Sequence, residues 1–101
     1  MDRPPKISNL LEAIQKCIED GRYLDTRHAS HRQAERDITR PEILRVLRTG
    51  FHEKKKDQFD GVYKAWNYAV RGKTLDARSL RVIVSFDENN MLIITAIDLN
   101  D

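Results

Sequence analysis

The spacing of apolar residues changes at Gly50, and this change constrains the fold more than any other feature of the chain. Before Gly50, apolar residues recur every three or four positions, which is the period of an amphipathic helix. After it, they alternate with polar residues, as in a strand with one buried face. Helices followed by strands predict an α+β fold, in which N-terminal helices pack on an antiparallel sheet. At 101 residues, the whole chain 1–101 is expected to form a single domain around one core.

The first half of the chain predicts two or three helices. Residues 1–6 are expected to be loose, and Ser8 has a side chain suited to an N-cap. Gly21 is expected to end the first helix, because glycine is common just past a helix C-terminus. Residues 22–26 predict either a short strand or a connector. The apolar stripe of this helix consists of Leu10, Leu11, Ile14, Cys17 and Ile18.

Two further helices are predicted before Gly50. Residues 28–37 are strongly polar, so a helix here must be exposed on one face. Thr39 and Glu42 have the spacing of a capping box, in which each side chain bonds to the backbone amide of the other residue. Pro41 is tolerated in the first turn of the helix that follows, which is expected to end at Gly50.

The second half of the chain predicts three or four antiparallel strands. Residues 51–56 are expected to form an edge strand, since three consecutive lysines discourage pairing with another chain. Residues 57–65 are expected to be an irregular loop or a short helical turn. Residues 66–71 alternate as a strand, and residues 80–86 and 91–99 predict a central hairpin. The core is predicted to include Leu11, Ile14, Ile43, Leu47, Val82, Val84, Leu92 and Ile94.

Positive charge is concentrated in the middle of the chain. The formal net charge is only +2, but basic residues outnumber acidic residues between positions 40 and 81. This local excess is compatible with a polyanionic partner, because phosphate binding depends on local rather than total charge. For any single lysine, a solvated surface is the simpler interpretation. The basic residues of this region are Arg40, Arg45, Arg48, Lys54, Lys55, Lys56, Lys64, Arg71, Lys73, Arg78 and Arg81.

The sequence argues against a membrane, a metal centre and a nucleotide-binding loop. No apolar run approaches the roughly 20 residues of a membrane helix, and no signal-peptide pattern precedes the first helix. A single cysteine, Cys17, cannot form an internal disulfide, so a cytoplasmic location is expected. His28, His31 and His52 lack the spacings of zinc motifs, and the glycines are isolated from one another. No metal or cofactor is therefore expected.

A polar row provides the first candidate site. His28, Arg32 and Arg36 are spaced four residues apart, which places them along one face of a helix. Arginine forks bind phosphate oxygens, and a neutral histidine can transfer a proton near pH 7. The alternative is that the row is solvated and pairs with Glu35 and Asp37. The spacing alone does not decide between the two interpretations.

A second cluster lies in the predicted sheet. Arg71 and Lys73 end one strand, and Arg81 begins the next strand. If Arg71 points to the face opposite the core, it is expected to meet the polar row, so that one basic site forms from two distant segments. Trp66 and Tyr68 share a strand face and could stack on bases, but core packing is the preferred interpretation for Trp66.

A family resemblance rests on several motifs that occur in order. The chain resembles a family of small bacterial proteins classed as a domain of unknown function, through the segments RHASHRQAERDITRPEIL and WNYAVRGKTLDARSLRVIVSFDENNMLIITAIDL. The family pattern is H-A-x-x-R-x-x-x-R-x-I-[ST], then a tyrosine-containing strand ending in G-K-T, then L-R-V-x-V, then an apolar strand with I-T. The resemblance covers about residues 25–99.

The resemblance implies a relationship to the RelE-like ribonuclease toxins. Members of the family are placed near those toxins by fold similarity and by gene pairs with zinc-finger antitoxins, and the toxins hold RNA against basic and histidine residues. A RelE-like fold with three or four antiparallel strands is then expected. The positions of this chain that match the family pattern are His28, Arg32, Arg36, Arg71, Arg81 and Thr95.

Two functions follow as hypotheses. In the first, the protein is a metal-independent endoribonuclease that cleaves RNA through the ribose 2′-hydroxyl, with an antitoxin protein as its partner. Its expected catalytic residues are His28, Arg32, Arg71 and Arg81, and its expected RNA-binding residues are Arg36, Lys54, Lys55, Lys56, Lys73 and Thr95. In the second, the same basic surface belongs to a non-catalytic module that binds a protein or a nucleic acid.

Overall fold

The computed structural model describes residues 3–26 and 37–100, and these residues form an α+β fold with two α-helices and a six-stranded mixed sheet. The polar row of His28, Arg32 and Arg36 lies outside the described residues, as does most of the helix predicted over 28–37. In chain order the elements are α1 (Leu10–Glu19), β1 (Tyr23–Asp25), α2 (Arg40–Thr49), β2 (Phe51–His52), a 3₁₀ turn (Lys54–Lys56), β3 (Gln58–Asp60), β4 (Ala65–Lys73), β5 (Ser79–Phe86) and β6 (Met91–Asp98).

The first helix begins one residue later than predicted. Asn9, not Ser8, is the N-cap, and its side chain accepts a hydrogen bond from the amide of Glu12 at 3.3 Å. Both residue types cap helices well, so the sequence alone does not distinguish the two neighbours. Gly21 follows the helix with a φ of +69°, which is the left-handed conformation that glycine adopts without steric cost. The helix buries Leu10, Ile14, Cys17 and Ile18.

The predicted capping box of α2 is confirmed. The amide of Glu42 donates to the Thr39 hydroxyl at 3.4 Å, and the amide of Thr39 donates to the Glu42 carboxylate at 2.8 Å. Pro41 lies in the first turn, and Gly50 caps the C-terminus, as expected. The reciprocal bonds satisfy two amides that would otherwise lack partners at the start of the helix.

Replacing Thr39 with alanine is expected to lower the free energy of unfolding by about 1 kcal/mol, because the Glu42 amide loses its acceptor. Thr39→Ser retains a hydroxyl and is expected to stay close to the wild type. Urea denaturation of the three proteins measures the effect. Equal stability of Thr39→Ala and wild type would show that the cap contributes nothing.

The sheet has more strands than the sequence predicted. Its order is β1-β6-β5-β4-β2, and the short β3 also pairs with β4, along the edge that faces away from β5. β1 is parallel to β6, and the other pairs are antiparallel. The expectation of three or four antiparallel strands is therefore wrong. The sequence does not define β1, β2 and β3, because each contains only two or three residues and is too short to show an alternating pattern.

Two boundary predictions are corrected in the same region. The strand predicted over residues 51–56 is confined to Phe51–His52, and the three lysines form a 3₁₀ turn instead. The segment predicted as an irregular loop or a short helical turn over residues 57–65 contains β3.

The predicted central hairpin is confirmed, with one irregularity. β5 pairs with β6, and β5 lies in the centre of the sheet. The register shifts within this pair, because Ile83 faces Thr95 while Val84 faces Ile93, so that Ile94 is an extra residue in β6. Leu92 and Ile94, predicted in the core, are only partly buried as a result, and β6 buries Met91, Ile93 and Ala96 in their place.

The core lies between the two helices and one face of β4, β5 and β6. Ile14, Ile43, Leu47, Val82 and Val84 are fully buried as predicted, whereas Leu11 is partly buried at the margin. The end of α2 approaches β4 closely: a side chain at Gly72 would meet the Cα of Gly50 at 3.0 Å. The other core residues include Leu10, Cys17, Ile18, Ile38, Val46, Tyr68, Val70, Leu80, Met91, Ile93 and Ala96.

The segment before α1 has no regular secondary structure but contacts the sheet. The indole nitrogen of Trp66 donates to the carbonyl of Pro4 at 2.8 Å, and the amide of Ile7 donates to the Tyr68 hydroxyl at 3.0 Å. Trp66 is partly buried and packs against the core, which agrees with the interpretation preferred for it. Within residues 3–26 and 37–100, no helix combines the length and the apolar character needed to cross a membrane.

Candidate functional site

The face of the sheet opposite α1 and α2 carries the basic cluster, and we call it the outer face. Tyr68 and Val70 point into the core, so the residues that alternate with them along β4 point outward. The same alternation applies to β5, whose core residues are Leu80, Val82 and Val84. On these two strands the outer face consists of Asn67, Ala69, Arg71, Lys73, Ser79, Arg81, Ile83 and Ser85.

Two arginines that were predicted as site residues lie next to each other on this face. Arg71 and Arg81 are direct cross-strand partners in the antiparallel β4–β5 pair. Like charges at such positions repel each other. Both guanidiniums contact the carboxylate of Glu53, which follows β2: Arg81 Nε and Nη2 lie 2.7 and 3.2 Å from it, and Arg71 Nη1 lies at 3.5 Å. Glu53 therefore offsets part of the repulsion between the two arginines.

The two arginines differ in how far they are available to a ligand. The Arg81 side chain is 18% exposed and holds Glu53 through two nitrogens, whereas the Arg71 side chain is 42% exposed and makes one longer contact. The hydrogen bond from Arg81, with the charges of both arginines, lowers the pKa of Glu53, and the bond to Glu53 raises the pKa of Arg81. Glu53 and Arg81 therefore stay ionised at neutral pH, and Arg71 is the more accessible cation of the cluster.

The Glu53 interaction predicts a dependence of stability on pH. A carboxylate whose pKa is lowered by folding stabilises the protein fully above its ordinary pKa of 4.5, and the stabilisation is lost as the pH falls through the lowered value. The loss of unfolding free energy between pH 6 and pH 3 is therefore expected to be smaller in Glu53→Gln than in the wild type. Urea denaturation at the two pH values measures it, and an equal loss in both proteins would contradict the prediction.

The other predicted residues are distributed around the cluster. Lys73 is exposed at the end of β4 on the outer face, and Lys54, Lys55 and Lys56 are exposed in the 3₁₀ turn that directly follows Glu53. Thr95 faces Ile83 in the β5–β6 pair, so it lies on the outer face near Arg81. The structure thus brings Arg71 and Arg81 together, whereas the polar row is outside the residues it describes.

A large cavity opens on the outer face near the start of β4, whereas the arginine pair lies near the end of that strand. Its volume is about 1010 Å³, and it is bounded by the β3–β4 turn, by β4 and β5, and by the β5–β6 turn. The residues that shape it include Tyr63, Lys64, Asn67, Ser85, Leu92 and Ile94. None of these six was among the predicted site residues, because their convergence depends on strand pairing that the sequence does not specify.

A buried carboxylate supports the edge of the sheet that carries Glu53. The Asp57 side chain is fully buried, and it accepts a hydrogen bond from the amide of Ala69 at 3.0 Å. Its other oxygen lies 2.8 Å from His52 Nε2 and 3.1 Å from Lys6 Nζ. Asp57 thereby ties β2, β4 and the N-terminal segment together next to the arginine pair.

The described residues contain no arrangement suited to a metal ion. In that part of the chain, no group of three or more histidine, cysteine, aspartate or glutamate side chains could hold a metal. Cys17 is buried on the apolar face of α1, as its position in the sequence indicated. His52 contacts Asp57 and the ring of Tyr68, on the core side of β4.

Comparison with known proteins identifies the family. Residues 26–98 match DUF4258, a domain of unknown function, and this match covers more than half of the chain. The chain belongs to the DUF4258 family. The DUF4258 region includes Arg71, Arg81, Glu53 and every described residue that lines the cavity, whereas α1 and β1 precede it. No curated protein and no solved structure matches the chain.

Proposed function

We propose that this DUF4258 domain binds single-stranded RNA on its outer face and cleaves it as a metal-independent endoribonuclease of the toxin–antitoxin type. The observation that supports the proposal is the in-register pair of Arg71 and Arg81, held by Glu53 on the side of the sheet opposite the helices. Paired guanidiniums suit a phosphodiester, because the planar fork of arginine matches two phosphate oxygens.

The charge of the cluster also fits one phosphate group. The two guanidiniums and the one carboxylate have a net charge of +1, and Arg71 is the more exposed of the two cations. Glu53 fixes the orientation of Arg81 and holds both arginines in place before a ligand binds. Such preorganised charge is the main way in which a protein stabilises a transition state that gains negative charge.

The proposed reaction needs no cofactor. The ribose 2′-oxygen attacks the adjacent phosphorus, a base takes the 2′-hydroxyl proton, and the bond between phosphorus and the 5′-oxygen breaks as an acid donates a proton to that oxygen. The products are a 2′,3′-cyclic phosphate and a 5′-hydroxyl. Arg71 stabilises the charge on the phosphorane, with Arg81 beside it, and each such donor accelerates the reaction about 100-fold.

The remaining predicted residues have roles in the same proposal. His28 performs one of the two proton transfers, and Arg32 assists at the phosphate. Arg36, Lys73, Thr95 and the three lysines after Glu53 hold the flanking RNA. The RelE-like relationship, the antitoxin partner and the cytoplasmic location also belong to the proposal, since a toxin of this kind acts on cellular RNA and is neutralised by a protein.

The test is cleavage of single-stranded RNA by the purified wild-type chain in excess chelator. We expect products with a 2′,3′-cyclic phosphate, and no cleavage at a position whose 2′-hydroxyl is replaced by hydrogen. Arg71→Ala is expected to be about 100-fold slower, while Arg48→Ala, which removes an exposed arginine from α2, is expected to cleave normally. Induced expression is expected to arrest growth, and His28→Ala is expected to remove the arrest.

A non-catalytic binding module is the second candidate, and one observation favours it. Arg81 directs two of its nitrogens to Glu53, which leaves it fewer donors for a phosphorane than a free arginine has. This candidate predicts RNA binding that depends on Arg71 but no cleavage and no effect of His28→Ala. Intact RNA after prolonged incubation with a folded, RNA-binding wild type would favour it over the nuclease.

A further inference from the structure

The cavity on the outer face lies on the same strand face as the arginine pair. Asn67 and Arg71 are four residues apart on β4, both point outward, and the rise of a strand separates them by about 13 Å. A short stretch of single-stranded RNA can span this distance. An RNA phosphate held at Arg71 therefore places a neighbouring base within reach of the cavity.

The cavity has the surfaces that a base requires. Tyr63 is 81% exposed on the β3–β4 turn at its rim, where its ring is free to stack on a base. Leu92 and Ile94 are half-buried and form an apolar wall. The carboxamide of Asn67 makes no hydrogen bond to any described residue, so its donor and its acceptor are both available to a base edge.

The charges around the cavity favour the binding of a base over the binding of a phosphate. Its border carries three acidic residues, Asp60, Asp87 and Glu88. Lys64 is the single cation among its described lining residues. Asp60 accepts hydrogen bonds from the amides of its own turn, as Asp87 does in the β5–β6 turn, and these bonds hold both side chains in place. Carboxylates repel a phosphate but accept hydrogen bonds from the amino groups of adenine, cytosine or guanine.

We propose that this cavity is a base-recognition site, which binds a nucleobase carrying an exocyclic amino group and discriminates against uracil. The inference rests on the proposed function, because it requires RNA on the outer face. The arginine pair at one end of the outer face holds the phosphate, and the cavity at the other end recognises the base. The domain then has a preferred cleavage context that depends on residues remote from the reacting phosphate.

The experiment compares short 2′-O-methyl oligonucleotides of adenine, cytosine and uracil, which cannot be cleaved through the 2′-oxygen. The wild type is expected to bind the adenine and cytosine oligomers roughly 5- to 100-fold more tightly than the uracil oligomer. Tyr63→Ala removes a stacking surface that serves every base and is expected to weaken the binding of all three oligomers. Asn67→Ala is expected to reduce the preference for adenine and cytosine. Val62→Ala, on the same turn, 84% exposed and outside the cavity lining, is the matched control and is expected to keep it.

The outcomes separate this inference from the proposed function. If the wild type binds all three oligomers equally while Arg71→Gln binds all of them weakly, the base site is wrong and the RNA surface stands. The base site is also wrong if Asn67→Ala keeps the full preference, or if Tyr63→Ala binds every oligomer as tightly as the wild type does. If the folded wild type binds none of the oligomers, the proposed function and the base site both fail.

Discussion

Replacing Asp57 with alanine is expected to lower the free energy of unfolding by at least about 3 kcal/mol. The Asp57 carboxylate is fully buried and has three partners: the Ala69 amide, His52 and Lys6. An amide left without an acceptor costs about 1 to 3 kcal/mol, and each lost hydrogen bond to a charged group costs about 1.5 to 3 kcal/mol. Urea denaturation, monitored by tryptophan fluorescence, measures the change.

Two variants show whether the effect comes from the buried cluster. Asp57→Asn keeps an oxygen for the Ala69 amide and is expected to be less damaging than Asp57→Ala. Asp20→Ala breaks an exposed ion pair with Arg22 and is expected to cost less than about 1 kcal/mol. Equal stabilities of Asp57→Ala and Asp20→Ala would contradict the importance assigned to the buried carboxylate.

Replacing Leu47 with alanine is expected to cost about 2 to 5 kcal/mol. Leu47 is fully buried in the core between the helices and the sheet, so the shorter side chain leaves a cavity that the neighbouring elements can fill only in part. The same denaturation measurement applies.

The matched control is Leu75→Ala, in the turn between β4 and β5. Leu75 is 83% exposed, and its removal is expected to change the stability by less than about 0.5 kcal/mol. If the two leucine variants were equally stable, the helices would not pack on the sheet as described.

Much of the fold could be predicted from local patterns. The capping box of Thr39 and Glu42 depends on residues three apart, and the β5–β6 hairpin joins strands that are neighbours in sequence. The buried face of β6 could not be predicted, since β6 is apolar on both faces and the extra residue Ile94 shifts the register. β3 has one apolar residue, Phe59, so no alternation reveals it.

The site could be predicted only in part, for a similar reason. Arg71 and Arg81 stood out as charged residues near the ends of predicted strands, and strand pairing brings them together. Glu53 contacts an arginine 28 positions away, and the Asp57 carboxylate binds an amide 12 positions away. Such contacts depend on the register of β2 and β4, which no local pattern of charge or hydropathy indicates.

The most direct test of the account is the RNA affinity of Arg71→Gln, measured with an uncleavable 2′-O-methyl oligonucleotide over a range of salt concentrations. We expect weaker binding than wild type and a salt dependence reduced by about 0.7 in the slope of log K against log salt, since one phosphate contact is lost. Arg48→Gln removes the same charge from the exposed surface of α2 and is expected to bind as the wild type does. Equal affinity and slope for Arg71→Gln and wild type would contradict RNA binding on the outer face.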